Sequence, residues 1–279
     1  GIILDRFEDY ESWLMWDEEG REIGIDLLHN GTSASAEAID KSWRQGTDQL
    51  LSLLRGKYPG LPVIRNNPMT PRYSLYDGQV YETGGWTKPS ADWWENLFVT
   101  TDTEEYYKTG CYMDWFRTGA NPWVMLEVYE DESGAAADGD GNYNNPYRKK
   151  GFVPNYQRMR FSLASALLGN GYYSYEVNTN GHGSLGLMWF DEYDNAGKGK
   201  GYLGYPKDQY QKLSNGVYMR AFDNGLVLVN PQAKAITVKL DQKYVKIKGK
   251  QAPAVNDGKT TDTVRLNGFD GRILLKRNQ

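Results

Sequence analysis

The spacing of its apolar runs constrains this chain more than any other feature. "GIILD" (1–5), "LPVIRNN" (61–67), "YDGQVYETGG" (76–85), "NPWVMLEVYED" (121–131) and "YYSYEVN" (172–178) are short, mostly apolar and bounded by polar or turn-forming residues, as buried strands are. Helical patterns lie between them. Ile39, Trp43, Leu50 and Leu54 recur near a 3.6-residue period and stop at "YPG". Ser90 is placed to cap a helix beginning at Ala91, a further helical stretch runs through Tyr107, Cys111 and Trp115, and the Ala/Leu-rich "NYQRMRFSLASALLGNG" has Gly169 where a helix would stop. The order is β-α-β-α-β-α-β-α-β, which predicts parallel strands joined by right-handed crossovers.

Such a pattern folds as an open doubly wound sheet or as a closed barrel. No G-x-G-x-x-G follows any strand, and "GKGKG" (197–201) lacks both the spacing and the strand–helix setting of a P-loop. Acids at three strand ends, Asp5, Glu82 and Glu127, favour a barrel, in which working groups come from several strand C-termini. After about residue 210 the texture changes to short alternating runs, "GLVLVN", "AITVKL", "YVKIKG", "DTVRLNG" and "GRILLKR". Period-two patterning of this kind predicts antiparallel strands. The expectation is an α/β fold: part of a (β/α)8 TIM barrel over residues 1–205, followed by a small antiparallel β-sandwich over 212–279.

Composition narrows the function. A formal net charge of −4 with 24% charged residues, and no dense Lys/Arg block, argues against nucleic acid as a partner. One cysteine, Cys111, excludes an intrachain disulfide and a cysteine-based zinc cluster, and the two histidines, His29 and His182, are too few for most His-rich metal sites. No cofactor and no metal is expected. No apolar run approaches the roughly 20 residues of a bilayer span, so no membrane partner is expected either. Aromatic content is high, at 14% with 21 Tyr and 9 Trp, and many of these rings fall in polar or Gly-rich stretches such as "YESWLMWDEEG" and "GLMWFDEYDNAG". Such rings offer a flat apolar face and a polar edge, which suits the C–H face of a pyranose. Two weaker signals carry less. "DGDGNYNN" (138–145) is oxygen-rich but has Tyr143 where an EF-hand loop needs Gly, and reads as a solvated loop; "NGT" at Asn30 fits the glycosylation sequon.

The stretch "RFSLASALLGNGYYSYEVNTNGHGSLGLMWFDEYDNAGKGKGYLGYP" and the later "FDNGLVLVNP" resemble the C-terminal end of uncharacterised bacterial glycoside hydrolase families. More distantly, "GIILD" and "YDGQVYE" look like the strand-four and strand-six signatures of barrel glycosidases related to endo-α-1,4-polygalactosaminidases. The resemblance implies that the five runs are barrel strands four to eight, with strands one to three supplied by an upstream segment or another chain. It also implies an extracellular or cell-surface location and a carbohydrate substrate.

Cleavage of a glycosidic bond needs two carboxyl groups flanking it. Asp5, short and at the end of a rigid strand, is the expected nucleophile; Glu82, beside Tyr81 and Trp86, is the expected general acid; Glu127 is the third catalytic candidate. Arg65, Asn66 and Asn67 after strand five, and His182 in "NGHG", are candidates for bonding sugar hydroxyls, with Glu176 facing inward from the last strand. Trp13, Trp16, Trp86 and Trp189 are candidate stacking platforms. The expectation is a glycoside hydrolase with a retaining mechanism. The alternative is a barrel that binds glycan or builds a surface assembly without catalysis.

Overall fold

The computed structural model describes residues 1–5, 7, 11–17, 19–66, 72–82, 94, 111–117, 122–131, 153–178, 186–187 and 189–277. The expected helix near Ser90, and the oxygen-rich loop at 138–145, lie outside these residues.

The five apolar runs form β1 (Ile2–Leu4), β2 (Val63–Asn66), β3 (Gly78–Glu82), β4 (Trp123–Asp131) and β5 (Tyr172–Asn178), and they are parallel, side by side in chain order. A two-residue β6 (Gly186–Leu187) adds antiparallel to β5. Among the described residues the parallel strands are connected by α1 (Ala36–Lys57), α2 (Tyr112–Arg117) and α3 (Tyr156–Ala166). A fourth, α4 (Asp191–Asp194), is a single turn.

The three crossover helices share one face of the sheet. Leu51 of α1 joins Val63 of β2 in the core, Trp115 of α2 donates its indole N–H to the Tyr81 hydroxyl at 2.9 Å, and Ser162 of α3 is 2.7 Å from the Tyr173 hydroxyl. Among the described residues the parallel strands follow in chain order with these helices on one face, whereas a doubly wound sheet reverses strand order at a switch point. Among the described residues the sheet stays open, with β1 and β6 at its edges.

Local chemistry explains the helix ends. The Ser35 side chain accepts from the Ala38 N–H, and Asn155 accepts from Arg158 N–H, each satisfying a first-turn donor. On α1 the inward stripe is Ile39, Thr47 and Leu51; Leu50, which periodicity alone placed inside, is 43% exposed. Gly169 is not a left-handed helix stop either. Its φ is not positive, and glycine is required because a Cβ there would lie 2.5 Å from Phe116 and 2.7 Å from Tyr112 ring atoms. The exposed end of α3 is capped from a distance instead: Arg220 donates to the carbonyls of Leu167 and Gly169 and to Asn170 Oδ1, placing a cation at the negative end of the helix.

Arg220 belongs to the second sheet. It contains β7 (Gln211–Lys212), β8 (Tyr218–Ala221), β9 (Gly225–Asn230), β10 (Ile236–Lys246), β11 (Thr260–Leu266) and β12 (Asp270–Lys276), all antiparallel, in the order β11-β10-β12-β9-β8-β7. A sandwich of two sheets was expected; hydrogen bonding instead draws one six-stranded sheet. A register shift in β10 between Lys239 and Tyr244 lets its first half carry β11, so that Val238, Leu240 and Val264 pack with Leu226, Leu228 and Leu274. The opposite side of this sheet lies on α3. Gly271 makes that approach possible, since a Cβ would sit 2.3 Å from the Arg160 carbonyl oxygen. Trp94, fully buried, completes the seam by donating to Ser165 Oγ at 3.1 Å with its ring 4.5 Å from that of Tyr218. Burying a ring of this size removes about 150–250 Å² from water, about 4–6 kcal/mol of hydrophobic stabilisation.

Candidate functional site

Parallel register sets the site. Leu4 pairs with Arg65, so Asp5 stands level with Asn66; Asn66 pairs with Val80, two residues before Glu82; and Glu82 pairs with Glu127. Asp5 directly follows β1 and Glu82 is the last residue of β3, with Asn66 of β2 between, whereas Glu127 is the fifth of the nine residues of β4. Strands are about 4.8 Å apart, which puts the Cα atoms of Glu82 and Glu127 about 5 Å apart. Asp5 lies two strands from Glu82 and about two residues lower, a Cα separation of roughly 12 Å.

Asp5 is exposed, and its Oδ1 accepts a hydrogen bond from Asn66 Nδ2 at 3.0 Å, which fixes the carboxylate's orientation. Glu127 is half-buried. By alternation it shares a face with Met125 and Trp123, away from the helices, while Val124, Leu126 and Val128 are wholly buried on the helix side. Trp123 stacks on Tyr172 of β5 with ring centroids 5.7 Å apart, and both are about half exposed on the Glu127 face.

The segment 11–16 that follows β1 is anchored on α1 by a residue that sequence reading passed over. Asp40 of α1 accepts the backbone N–H of Glu11 at 2.9 Å and of Ser12 at 2.8 Å, and the Ser12 hydroxyl at 3.1 Å. These bonds hold the short 3-10 turn Ser12–Met15, which carries Trp13 at 41% exposure and leads into Trp16 at 46%. The signal was faint: an acid inside an amphipathic helix normally reads as part of a solvated face.

Other expected residues fall elsewhere. Arg65 is fully buried, its guanidinium 5.7 Å from the centroid of the Tyr76 ring, and this packing removes it from any surface a sugar hydroxyl could reach. Strand alternation is the reason: Asn66, the next residue, takes the outward position. Trp189 stands beside α4, donating its indole N–H to Asp194 Oδ2 at 2.8 Å. Glu176 does not fall elsewhere: in β5 it pairs with Tyr129 and Leu187, two residues beyond the Glu127–Ser174 pair and in the same strand alternation. Asn67, Trp86 and His182 lie outside the described residues. Among the described residues no group of three or more His, Cys, Asp or Glu could hold a metal ion, and no helix is long and apolar enough to cross a membrane.

Burial perturbs several groups away from this edge. Desolvation raises the Tyr81 and Tyr173 phenols well above their ordinary range and raises the Glu192 carboxyl, whose shift the Asn256 hydrogen bond and the charge of Arg160 oppose. Glu192 is on α4, and Asn256 Nδ2 reaches its Oε1 at 2.8 Å.

A parallel sheet joined by helices, followed by a separate antiparallel sheet, makes this a mixed α/β protein. The chain belongs to hypothetical glycosyl hydrolase family 15, whose model matches residues 18–226. No curated protein is significantly similar to it. Solved structures are similar only distantly. A hypothetical maltooligosyl trehalose synthase from Sulfolobus tokodaii is 15% identical with a TM-score of 0.27, covering 42% of this chain and 20% of its own. The maltogenic alpha-amylase AmyB from Thermotoga neapolitana is 9% identical with a TM-score of 0.39, covering 94% of this chain and 71% of its own. Amy13B from Eubacterium rectale is 9% identical with a TM-score of 0.34, covering 86% and 56%. The chain thus spans about a fifth of the first of these proteins and just over half of the last.

Proposed function

We propose that this chain carries the catalytic acids of a glycoside hydrolase, at the C-terminal edge of a sheet that forms part of a (β/α)8 barrel, and that it acts on an oligo- or polysaccharide outside the cell or at its surface. The observation that carries this reading is the pairing of Glu82 with Glu127 in neighbouring strands, with Asp5 two strands away at the end of β1.

The pair we assign to flank the bond is Asp5 with Glu82, two strands apart in the sheet. A retaining enzyme needs its carboxyls roughly 5–5.5 Å apart. Asp5, oriented by Asn66, serves as nucleophile on the anomeric carbon. Glu82 protonates the leaving oxygen. Trp13 and Trp16, on the loop anchored by Asp40, provide the apolar surface beside the edge.

The test uses the full-length protein on a panel of polysaccharides and aryl glycosides. Glu82→Gln should slow substrates with poor leaving groups by about 10²–10⁴-fold and activated aryl glycosides far less, because the latter scarcely need protonation. Equal loss on both classes would remove the acid role from Glu82. Asp5→Asn should abolish turnover of both, with azide restoring it as a glycosyl azide of inverted anomeric configuration. Products of the unmodified enzyme that appear inverted at first formation would refute retention.

A further inference from the structure

A second cleft, of about 410 Å³, opens between α3, the segment following β6 and the antiparallel sheet. It is separate from the strand-end acids. Tyr173 in its wall points to the helix-covered face, with its hydroxyl on Ser162 and on the Met159 carbonyl, whereas Glu127 lies on the other face.

The rings of this cleft are held in place with their polar edges already engaged. Trp189, 53% exposed, gives its N–H to Asp194, and Tyr193 stands perpendicular to it at 5.5 Å. Tyr202 donates its hydroxyl to the Glu192 carbonyl at 2.6 Å. Lys200 holds its ammonium 5.0 Å from the Trp189 ring centroid at the cleft mouth. The chain reaches this arrangement through an uncommon turn: Asn195 and Ala196 both adopt left-handed backbone (φ 54° and 55°), and Gly199 has φ 133°, a value suited to glycine. A left-handed alanine costs roughly 1–2 kcal/mol and persists only where its surroundings impose it, often at ligand-gripping segments.

The geometry points to a pyranose-binding site in this seam, taking one ring of a neutral oligosaccharide against Trp189, with Lys200 as a donor to its hydroxyls. A purely apolar ligand would strip water from Lys200 without replacing its hydrogen bonds, and a polyanion would meet Asp194 beside a single lysine. The cleft volume is within the range of small-molecule sites. The site does not rest on the catalytic reading above, and its failure would leave that reading intact.

The experiment is titration calorimetry on the whole chain carrying Asp5→Asn and Glu82→Gln, so that no ligand is consumed at the strand ends. The probes are neutral tetrasaccharides of α-1,4-glucose, β-1,4-glucose, β-1,4-mannose and β-1,4-N-acetylglucosamine. At least one should bind, and Trp189→Ala should weaken it by about tenfold or more without changing the melting temperature; Lys200→Ala should weaken the same ligand. Three outcomes would overturn the proposal: no binding by any of the four sugars, binding undiminished by Trp189→Ala, or equal affinity for an aliphatic alcohol such as 1-octanol.

Discussion

Replacing Asp270 by asparagine should be among the most damaging conservative changes this protein can suffer. Asp270 is fully buried between two buried arginines: its Oδ1 lies 2.7 Å from Arg272 Nη1, 3.2 Å from Arg160 Nη2 and 3.3 Å from Arg160 Nε. Arg160 comes from α3 and Asp270 and Arg272 from β12, so this cluster joins the helix layer of one sheet to the strands of the other. Asp270→Asn keeps the shape and removes the charge. Two guanidinium groups then remain desolvated with only Glu192 nearby as a counter-charge, and burial already pushes that carboxyl towards its neutral form. Breaking a buried pair by removing one partner costs about 3–5 kcal/mol, because the uncompensated charge stays behind. For a chain of this size that corresponds to a drop of roughly 6–15 °C in melting temperature. Urea denaturation followed by circular dichroism measures it, with the slope unchanged if the loss is in native stability. The double variant Arg160→Met/Asp270→Asn should recover part of the loss, since one of the stranded cations is gone. A loss below about 1 kcal/mol, or strict additivity of the two changes, would refute the reasoning.

Glu192 has a raised folded pKa, so the folded state holds its proton more tightly than the unfolded chain does. Its contribution to stability is most favourable below the unfolded value of 4.5 and is lost as pH rises through the folded value. Glu192→Gln should therefore flatten the stability–pH curve above about 4.5, which denaturation across pH 4–8 would show; an unchanged curve would contradict it. Gly271→Val should cost about 3 kcal/mol or more, measured by the same unfolding assay, because even a Cβ would collide with the Arg160 carbonyl and Ala164. Asp40→Ala should lower stability by about 1–3 kcal/mol through two orphaned N–H groups and loosen the Trp13 loop, seen as faster hydrogen exchange at Glu11 and Ser12. If the loop lies over the substrate edge as proposed, the same variant should raise KM more than it lowers kcat.

The sequence by itself determined the alternation of strands and helices, because each run's periodicity and each cap such as Ser35 or Asn155 acts over a few residues. It also placed Asp5 and Glu82 where β1 and β3 end, whereas Glu127, expected at a strand end, lies in the middle of β4 with buried Val128 after it. Which neighbour each acid meets was decided only by tertiary structure. Register pairs Glu82 with Glu127 across 45 residues and brings Asn66 onto Asp5 across 61, and a slip of one position would have sent Arg65 outward in place of Asn66. The same holds for Gly169, whose small size answers to rings on α2, and for the end of α3, capped by an arginine more than 50 residues away. The charged cluster of Arg160, Asp270 and Arg272 left no local trace at all. An arginine on a helix and an aspartate at a strand start read as surface residues until two sheets close over them, and it is that closure that turns their charges into a constraint on how the sheets pack.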